Sequence, residues 1–100
     1  MPKIAVMGGR ETVMGFKALG LDVYPVTDPD DAKSLFRKLA KPEADYAIIY
    51  IEETTAQHLS SEIEKCNDRP TPAVIMIPGR EGALGIGRSA LEAAMKRAIG

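Results

Sequence analysis

Two kinds of hydrophobic pattern alternate along this chain, namely apolar runs and apolar stripes with helical spacing. The apolar runs Ile4–Met7, Asp45–Ile51 and Ala73–Ile77 predict three strands. Runs that are continuous rather than alternating are typical of strands covered on both faces, as in a parallel sheet. A shorter strand is predicted at Asp22–Val26. It contains Pro25, which cannot donate to a neighbouring strand, so this strand is expected at a sheet edge.

The stripes between the strands predict helices. The first helix follows the tight turn Gly8-Gly9 and extends from about Glu11 to Leu19, with Gly20 placed where a helix commonly ends. The second begins at the run Asp28–Asp31, in which an aspartate can cap, a proline fits the first helical position and two further acids suit the helix dipole. Its stripe consists of Ala32, Leu35, Phe36 and Leu39.

A third helix is expected after Glu52-Glu53, because Thr54 and Gln57 match a capping box. Its buried stripe is predicted to be Ala56, Leu59, Ile63 and Cys66. After the fourth strand, the segment Gly79–Gly87 has four glycines in nine residues and is expected to be a linker. The hinge positions would be Gly82, Gly85 and Gly87. A last helix is predicted over Arg88–Ile99.

The resulting order, βαβαβαβα, predicts an α/β fold with a small four-stranded parallel sheet and helices on both faces. A strand order of 2-1-3-4, as in flavodoxin-like or receiver-like folds, places the strand with Pro25 at an edge and the first and third strands in the centre. We therefore expect a globular domain at 1–78, a linker at 79–87 and a C-terminal helix at 88–100.

Composition narrows the classes of function. The chain has 100 residues and a net charge of −1, so it has no general attraction for nucleic acid. It also has no tryptophan, so aromatic side chains on which bases could stack are scarce. No apolar run approaches the length of a bilayer span, and no signal segment is recognisable at the start. A cytoplasmic location is expected, without direct membrane insertion. The single cysteine, Cys66, excludes an intramolecular disulfide and a thiol-rich metal site.

Candidate chemistry at the strand ends is sparse. The turn Gly8-Gly9-Arg10 lacks the glycine spacing of a dinucleotide-binding loop, and no phosphate-binding lysine follows it. A phospho-accepting receiver needs a cluster of acids for magnesium after the first and third strands. Here the third strand ends Tyr50-Ile51-Glu52, whereas glycines follow the first strand. Nucleotide binding and phosphoryl transfer are therefore disfavoured.

The remaining candidates also have structural interpretations. Glu52 and Glu53 could form a carboxylate pair for acid-base catalysis, but acids are favoured at a helix start for electrostatic reasons. His58 falls off the apolar stripe and is expected to be an exposed helix residue. Cys66 lies on the stripe and is expected to be a small buried hydrophobe. No catalytic, cofactor or metal site is predicted, which favours a binding or structural role.

Three segments carry a resemblance to a known family. The first is Ile4–Gly8 followed by Arg10–Phe16, with its acid-Thr-Val-x-Gly-Phe helix start. The second is Ile51–Ala56, and the third is the closing Met95–Gly100. In this order the segments resemble the F subunit of the V-type and archaeal A-type rotary ATPases, over the whole chain. The sequence departs from the family at Gly9, where the family often has an acidic residue.

The resemblance implies a non-catalytic rotor subunit of the central stalk. Such a subunit binds the coiled-coil axle, which is the D subunit, and turns with it inside the head of A and B subunits. There ATP hydrolysis or synthesis is coupled to proton or sodium-ion transport. The F subunit would be peripheral to the membrane. Its last helix would be a regulatory or docking element, with the partner-facing residues Arg88, Leu91, Met95, Lys96, Arg97 and Ile99.

Two other hypotheses compete with this resemblance. The alternative function is a free-standing receiver-like regulatory or small-ligand-binding module. An enzyme using Glu52 or His58 is a third hypothesis, which would require a pocket around a group with a perturbed pKa.

Overall fold

The structure is a computed structural model, and it describes residues 3–79. The elements in chain order are β1 (Lys3–Gly8), α1 (Arg10–Lys17), β2 (Asp22–Pro25), α2 (Pro29–Ala40), a 3₁₀-helix (Pro42–Ala44), β3 (Tyr46–Glu52), α3 (Glu53–Ala56), α4 (Ser60–Asn67) and β4 (Ala73–Ile77). The strands form one sheet in the order β2-β1-β3-β4.

The predicted sheet is confirmed in its strand order and its parallel pairing. Every neighbouring pair of strands is parallel. Val6 on β1 lies opposite Val23 on β2 and Tyr50 on β3, and Tyr50 in turn lies opposite Ile75 on β4. The strand that ends at Pro25 occupies an edge, where a missing backbone donor costs no ladder hydrogen bond.

The main core lies on the face of the sheet that α2 and α4 cover. Phe36 from α2 and Cys66 from α4 are each 1% exposed, and they belong to one cluster with Met7 and Ile49 of the central strands. Asp28 begins α2 as predicted, since its carboxylate accepts from the backbone amides of the second and third helical residues at 3.1 Å. The cap therefore sets where α2 begins, and the burial of its apolar stripe places it on this face.

A smaller core lies on the opposite face, beneath α1. Val6 and Val13 are fully buried but do not belong to the main cluster. Successive strand residues point to opposite faces, so Val6 faces away from its neighbour Met7. Phe16 of α1 stacks on Tyr50 with a centroid distance of 6.5 Å. The prediction of helices on both faces is confirmed.

The predicted third helix is wrong in one respect, because it is divided into two pieces. Its first piece, α3, ends at Ala56, and α4 begins at Ser60 after a turn that buries Leu59 completely. The predicted capping box does not form. Glu52 takes the cap position, and the Thr54 hydroxyl donates to the Glu52 carboxylate at 2.9 Å.

The first helix is also shorter at its C-terminus than predicted. It begins at Arg10 and ends at Lys17, and the backbone amides of Leu19 and Gly20 then bond three residues back. Gly20 has a φ of 79°, the left-handed conformation that glycine adopts readily after a helix.

The C-terminal predictions fall on a part of the chain that the structure does not describe. The predicted linker beyond Gly79, its hinge positions Gly82, Gly85 and Gly87, and the predicted last helix all lie outside the described residues.

Candidate functional site

The carboxyl ends of the parallel strands meet at one edge of the sheet, and Glu52 lies at its centre. This residue ends β3, is only 7% exposed and lies beside Ile77, the last residue of β4. Glycines at the end of β1 and after β4 approach its side chain closely. In doubly wound sheets this edge is where ligands commonly bind, so its contents decide what chemistry it can support.

Three donors from separate parts of the chain surround the Glu52 carboxylate. The backbone amide of Gly9 donates to Oε1 at 3.2 Å, and the Thr54 hydroxyl donates to the same oxygen. The hydroxyl of Thr12, on α1, donates to Oε2. The carboxylate therefore joins the turn after β1, the helix α1 and the start of α3.

Two opposing effects determine the pKa of Glu52. Burial by itself raises the pKa, but the hydrogen bonds from Thr12, Gly9 and Thr54 outweigh it and hold the pKa below the ordinary value of 4.5. The carboxylate is consequently ionised at neutral pH and is a weak proton acceptor. A general acid or base matched to neutral pH needs a pKa near 7, so this environment favours a structural role for Glu52.

Glycine is required where the backbone approaches Glu52. Gly8 has a φ of 153°, and a Cβ atom placed there would lie 2.6 Å from the Cβ of Glu52. A Cβ atom on Gly79 would overlap the Glu52 carboxylate itself. These contacts bring the end of β1 and the second residue after β4 against one side chain.

A shallow groove of about 340 Å³ borders this site. It is lined by Gly9, Glu11, Thr12, Val26, Thr27, Glu52, Thr54, Thr55 and Gly79. The charged side chains among these lining residues are both acidic, and the Gly9 amide already donates to Glu52. A phosphate group would therefore meet negative charge and lack that amide donor, which disfavours a nucleotide here.

A second surface lies at the β4 edge of the sheet. The notch between β4, α3 and the start of α4 has a volume of about 470 Å³ and is lined by Glu53, Ala56, Gln57, Ser60, Ile63 and Met76. We call it the Met76 notch. Met76 is 58% exposed, although it occurs in an apolar strand. On the other face of β4, Ile75 is 42% exposed beside Tyr50. The edge strand therefore exposes an apolar side chain on each of its two faces.

One of the residues that line the Met76 notch, Glu53, also has an unsatisfied polar atom. Oε2 of Glu53 is buried and has no hydrogen-bond partner among residues 3–79. Buried carboxylate oxygens normally have a partner, so this atom calls for a structural or functional explanation.

A polar cluster lies at the opposite end of the sheet. The Tyr46 hydroxyl donates to Asp22 at 2.7 Å and is hydrogen-bonded to Tyr24, and the Lys3 ammonium lies 4.5 Å from the centroid of the Tyr46 ring. Burial, together with these hydrogen bonds, raises the pKa of Tyr46 above its ordinary value of 10.0. The phenol therefore remains protonated and links β3 to the edge strand β2.

The structure places the sequence candidates as follows. Cys66 is buried, as predicted. His58 is exposed as predicted, but it lies in the turn between α3 and α4 rather than on a helix. Glu52 and Glu53 do lie at a helix start, although this interpretation missed the contacts of Glu52. The predicted partner residues of the last helix lie outside the described part of the chain: Arg88, Leu91, Met95, Lys96, Arg97 and Ile99.

Sequence reasoning missed both the Glu52 site and the Met76 notch. A usable signal existed for Glu52, since an acid ends a buried strand while glycines follow two other strands. No such signal existed for Met76, because an apolar run does not reveal which of its side chains remain exposed. Among residues 3–79, no helix is long and apolar enough to cross a membrane.

The strand order and the parallel pairing define a small α/β domain with a flavodoxin-like sheet, and Glu52 occupies its strand-end edge. The family model described as "ATP synthase (F/14-kDa) subunit" matches residues 4–95. The chain therefore belongs to this family, and the resemblance to the F subunit of V-type and A-type ATPases is confirmed.

Individual proteins show the same relationship. The chain is 42% identical to the F subunit of the V-type ATP synthase of Clostridium botulinum, with 98% of this chain and 93% of that protein covered. It is 37% identical to the F subunit of the V-type ATP synthase of Fusobacterium nucleatum, over 100% of this chain and 93% of the relative. The crystal structure of the corresponding F subunit from Archaeoglobus fulgidus matches 76% of this chain and 96% of its own, with 15% identity and a TM-score of 0.51. That likeness supports the fold.

Proposed function

We propose that this protein is a non-catalytic rotor subunit of the central stalk of a V-type or A-type ATPase, where it binds the coiled-coil axle, the D subunit. The observation that carries the proposal is the family match over residues 4–95. The near-complete coverage of F subunits from two bacteria supports it. In this role the protein turns with the axle and helps couple ATP hydrolysis or synthesis to proton or sodium-ion transport.

The strand-end edge supports a role without catalysis. An active site needs reactive groups that are free to contact a substrate, whereas the Glu52 carboxylate already accepts hydrogen bonds from Gly9, Thr12 and Thr54. Its lowered pKa makes it a poor proton donor at neutral pH. The residue serves the fold instead, by linking the turn after β1 and the helix α1 to the end of β3.

The β4 edge supports a role in protein binding. Ile75 and Met76 expose apolar surface on the two faces of a strand at the sheet edge. Burial of such side chains stabilises a complex by about 25 cal/mol for each Å² removed from water, before the costs of association. This surface, at the sheet edge and beside α3, is therefore the one that would contact the axle.

The predicted helix Arg88–Ile99 completes the proposal as a regulatory or docking element. Hinged at Gly82, Gly85 and Gly87, it would contact the axle or the A and B head subunits. Its apolar residues would pack against the partner, while its basic residues would orient the helix more than they strengthen binding. The protein would be cytoplasmic and peripheral to the membrane, as part of the soluble ATPase sector.

Co-expression with the axle subunit from the same genome, followed by gel filtration, tests the main proposal. A stable one-to-one complex is expected, and the absence of any complex would contradict it.

The helix is tested separately by the double reversal Arg88→Glu with Arg97→Glu in the assembled enzyme. Coupling or inhibition should weaken while the complex with the axle subunit still forms. Unchanged coupling would remove the regulatory role.

The groove beside Glu52 favours one alternative, a free-standing module that binds a small ligand. Chemical shifts of the strand-end residues distinguish the two functions. They should move on addition of nucleotide, of magnesium with a phosphoryl analogue, or of flavin if the alternative holds. Under the rotor proposal, shifts should instead move at the β4 edge on addition of the axle subunit.

A further inference from the structure

We infer that a basic groove between α2 and α4 binds an acidic segment of the axle subunit, whose carboxylates would lie among the cations of the groove. The groove has a volume of about 250 Å³, and the cations that line it are Arg37, Lys41, Lys65 and Arg69. We call it the α2–α4 groove. The inference rests on the proposed function and adds a second surface to the one at the β4 edge.

The charge of the groove differs from the charge of the chain. The whole chain carries a net charge of −1, whereas the groove is lined by four cations and a single acid, Glu62. Cations near the end of a helix are favoured by the helix dipole, which accounts for Arg37 in α2 and Lys65 in α4 taken separately. The dipole does not account for cations from both helices lining one groove, where like charges repel. Carboxylates from a partner would relieve that repulsion.

Two of the cations are held in place by the walls of the groove. Nη2 of Arg69, which follows α4, donates to the backbone carbonyl of Ala40 at the end of α2 at 2.9 Å. Nη2 of Arg37 donates to Oε1 of Glu62 on α4 at 3.1 Å. A guanidinium group has five N–H donors, so each arginine keeps donors that can bind a further carboxylate. Because the two side chains are already positioned, binding would cost little conformational entropy.

The two lysines supply charge that the domain itself does not use. Neither the Lys41 nor the Lys65 ammonium group has a hydrogen-bond or ion-pair partner within residues 3–79. The floor beneath them is apolar, since the lining residues Phe36 and Cys66 are each 1% exposed. Charges interact more strongly beside such a floor than in open water. The groove therefore suits aspartate or glutamate side chains better than an uncharged segment.

Two other occupants are disfavoured. The chain's own segment 80–100 contains more basic than acidic residues, so its charge resembles that of the groove. A second copy would have to place an acidic surface, such as the run Asp28–Asp31, in the groove of its neighbour. That contact uses two different surfaces, so it would join many copies in a ring or a filament rather than form a pair.

The position of the groove favours the axle. The α2–α4 groove and the Met76 notch lie on either side of α4, because Cys66 lines the groove while Ile63 lines the notch. A single elongated partner such as a coiled coil can therefore contact both surfaces. The notch would provide apolar contact, and the groove would provide charge complementarity, which orients a partner and speeds its association.

The dissociation constant of the full-length chain for the axle subunit is measured by titration calorimetry at low and high salt. The double variant Lys41→Gln with Lys65→Gln should weaken binding about fivefold at low salt, because two exposed ion pairs are lost. The loss should be smaller at high salt, which screens those pairs in the wild-type complex. The urea midpoint of the free chain should not fall, because neither ammonium group has a polar partner within the described residues.

A matched control is available on the same domain. Lys17→Gln with Lys38→Gln makes the same change in net charge at exposed positions that do not line the groove. This variant should bind within twofold of the wild-type chain. If the wild-type chain binds and the groove variant binds as tightly as the control, the inference is overturned while the rotor function stands. If the wild-type chain does not bind, both are overturned.

Cross-linking identifies the occupant directly. A carbodiimide joins lysine amines to carboxylates without a spacer, and mass spectrometry then locates the joined residues. In the complex, links from Lys41 or Lys65 to aspartate or glutamate residues of the axle support the inference. Links from these lysines that lead only to residues 80–100 or to a second copy of this chain would overturn it.

Discussion

The backbone amide of Gly9 donates to the carboxylate of Glu52, with 3.2 Å between nitrogen and Oε1, although 43 residues separate them in sequence. This contact links the turn after β1 to the end of β3. Because Thr12 and Thr54 donate to the same carboxylate, one side chain organises the edge of the sheet at which ligands bind in many doubly wound folds.

Substitution of Glu52 tests this organisation. Glu52→Gln preserves one acceptor oxygen but replaces the acceptor of the Thr12 hydroxyl with an amide group and removes the charge. The free energy of unfolding should fall by about 1–3 kcal/mol, the usual cost of disrupting a buried hydrogen bond to a charged group. Urea denaturation measures it. Glu43→Gln, at an exposed position in the 3₁₀-helix, should change stability by less than about 0.5 kcal/mol. An equal loss in both variants would contradict this assignment.

The lowered pKa of Glu52 predicts a pH dependence of stability with a definite sign. Because the folded-state pKa lies below the ordinary value of 4.5, the unfolded chain binds the proton more readily. The contribution of Glu52 is therefore present above pH 4.5 and is lost as the pH falls through the folded-state pKa. The stability difference between wild type and Glu52→Gln should be constant well above pH 4.5 and shrink below it. A difference that grows on acidification would show the opposite shift.

Gly8→Ala should be strongly destabilising. Its φ of 153° disfavours a side chain, and the added Cβ would lie 2.6 Å from the Cβ of Glu52. Together these effects should lower the free energy of unfolding by about 2–4 kcal/mol. The steric part depends on Glu52, so combining Gly8→Ala with Glu52→Gly should cost less than the sum of the two single changes. Strict additivity in urea denaturation would show that the Cβ contact does not matter.

Gly15→Ala should have the opposite effect. Gly15 lies within α1 with open space around its would-be Cβ, so alanine gains helix propensity without a clash. The expected gain is about 0.5–1 kcal/mol. Gly20→Ala is the matched comparison, because its φ of 79° makes a side chain unfavourable despite similar open space. Thermal unfolding should show a rise in melting temperature for the first variant and a fall for the second.

Much of the fold was predictable because its signals are local. The apolar runs mark the strands, Pro25 marks an edge, and the run Asp28–Asp31 marks the start of α2. Parallel topology follows from the alternation of strands and helices, since right-handed crossovers leave few arrangements. The split between α3 and α4 was not predictable from the stripe alone, because Leu59 is buried in a turn as fully as it would be in a helix.

The candidate sites were harder to predict, for a different physical reason. In sequence, Glu52 looks like an ordinary helix-start acid. Its carboxylate accepts hydrogen bonds from Gly9 and Thr12, which the fold brings from another part of the chain. Met76 looks like a core residue in an apolar strand, yet it is exposed because β4 has a neighbouring strand on only one side within the described region.

The sequence by itself therefore determined most of the elements, the strand order and the family resemblance, because hydrophobic spacing, capping and motifs are encoded in neighbouring residues. The tertiary structure alone decided that Glu52 is a buried, ionised link between strand ends and that the Met76 notch is open. Burial, hydrogen bonding and the position of an edge depend on groups distant in sequence, and no local pattern specifies them.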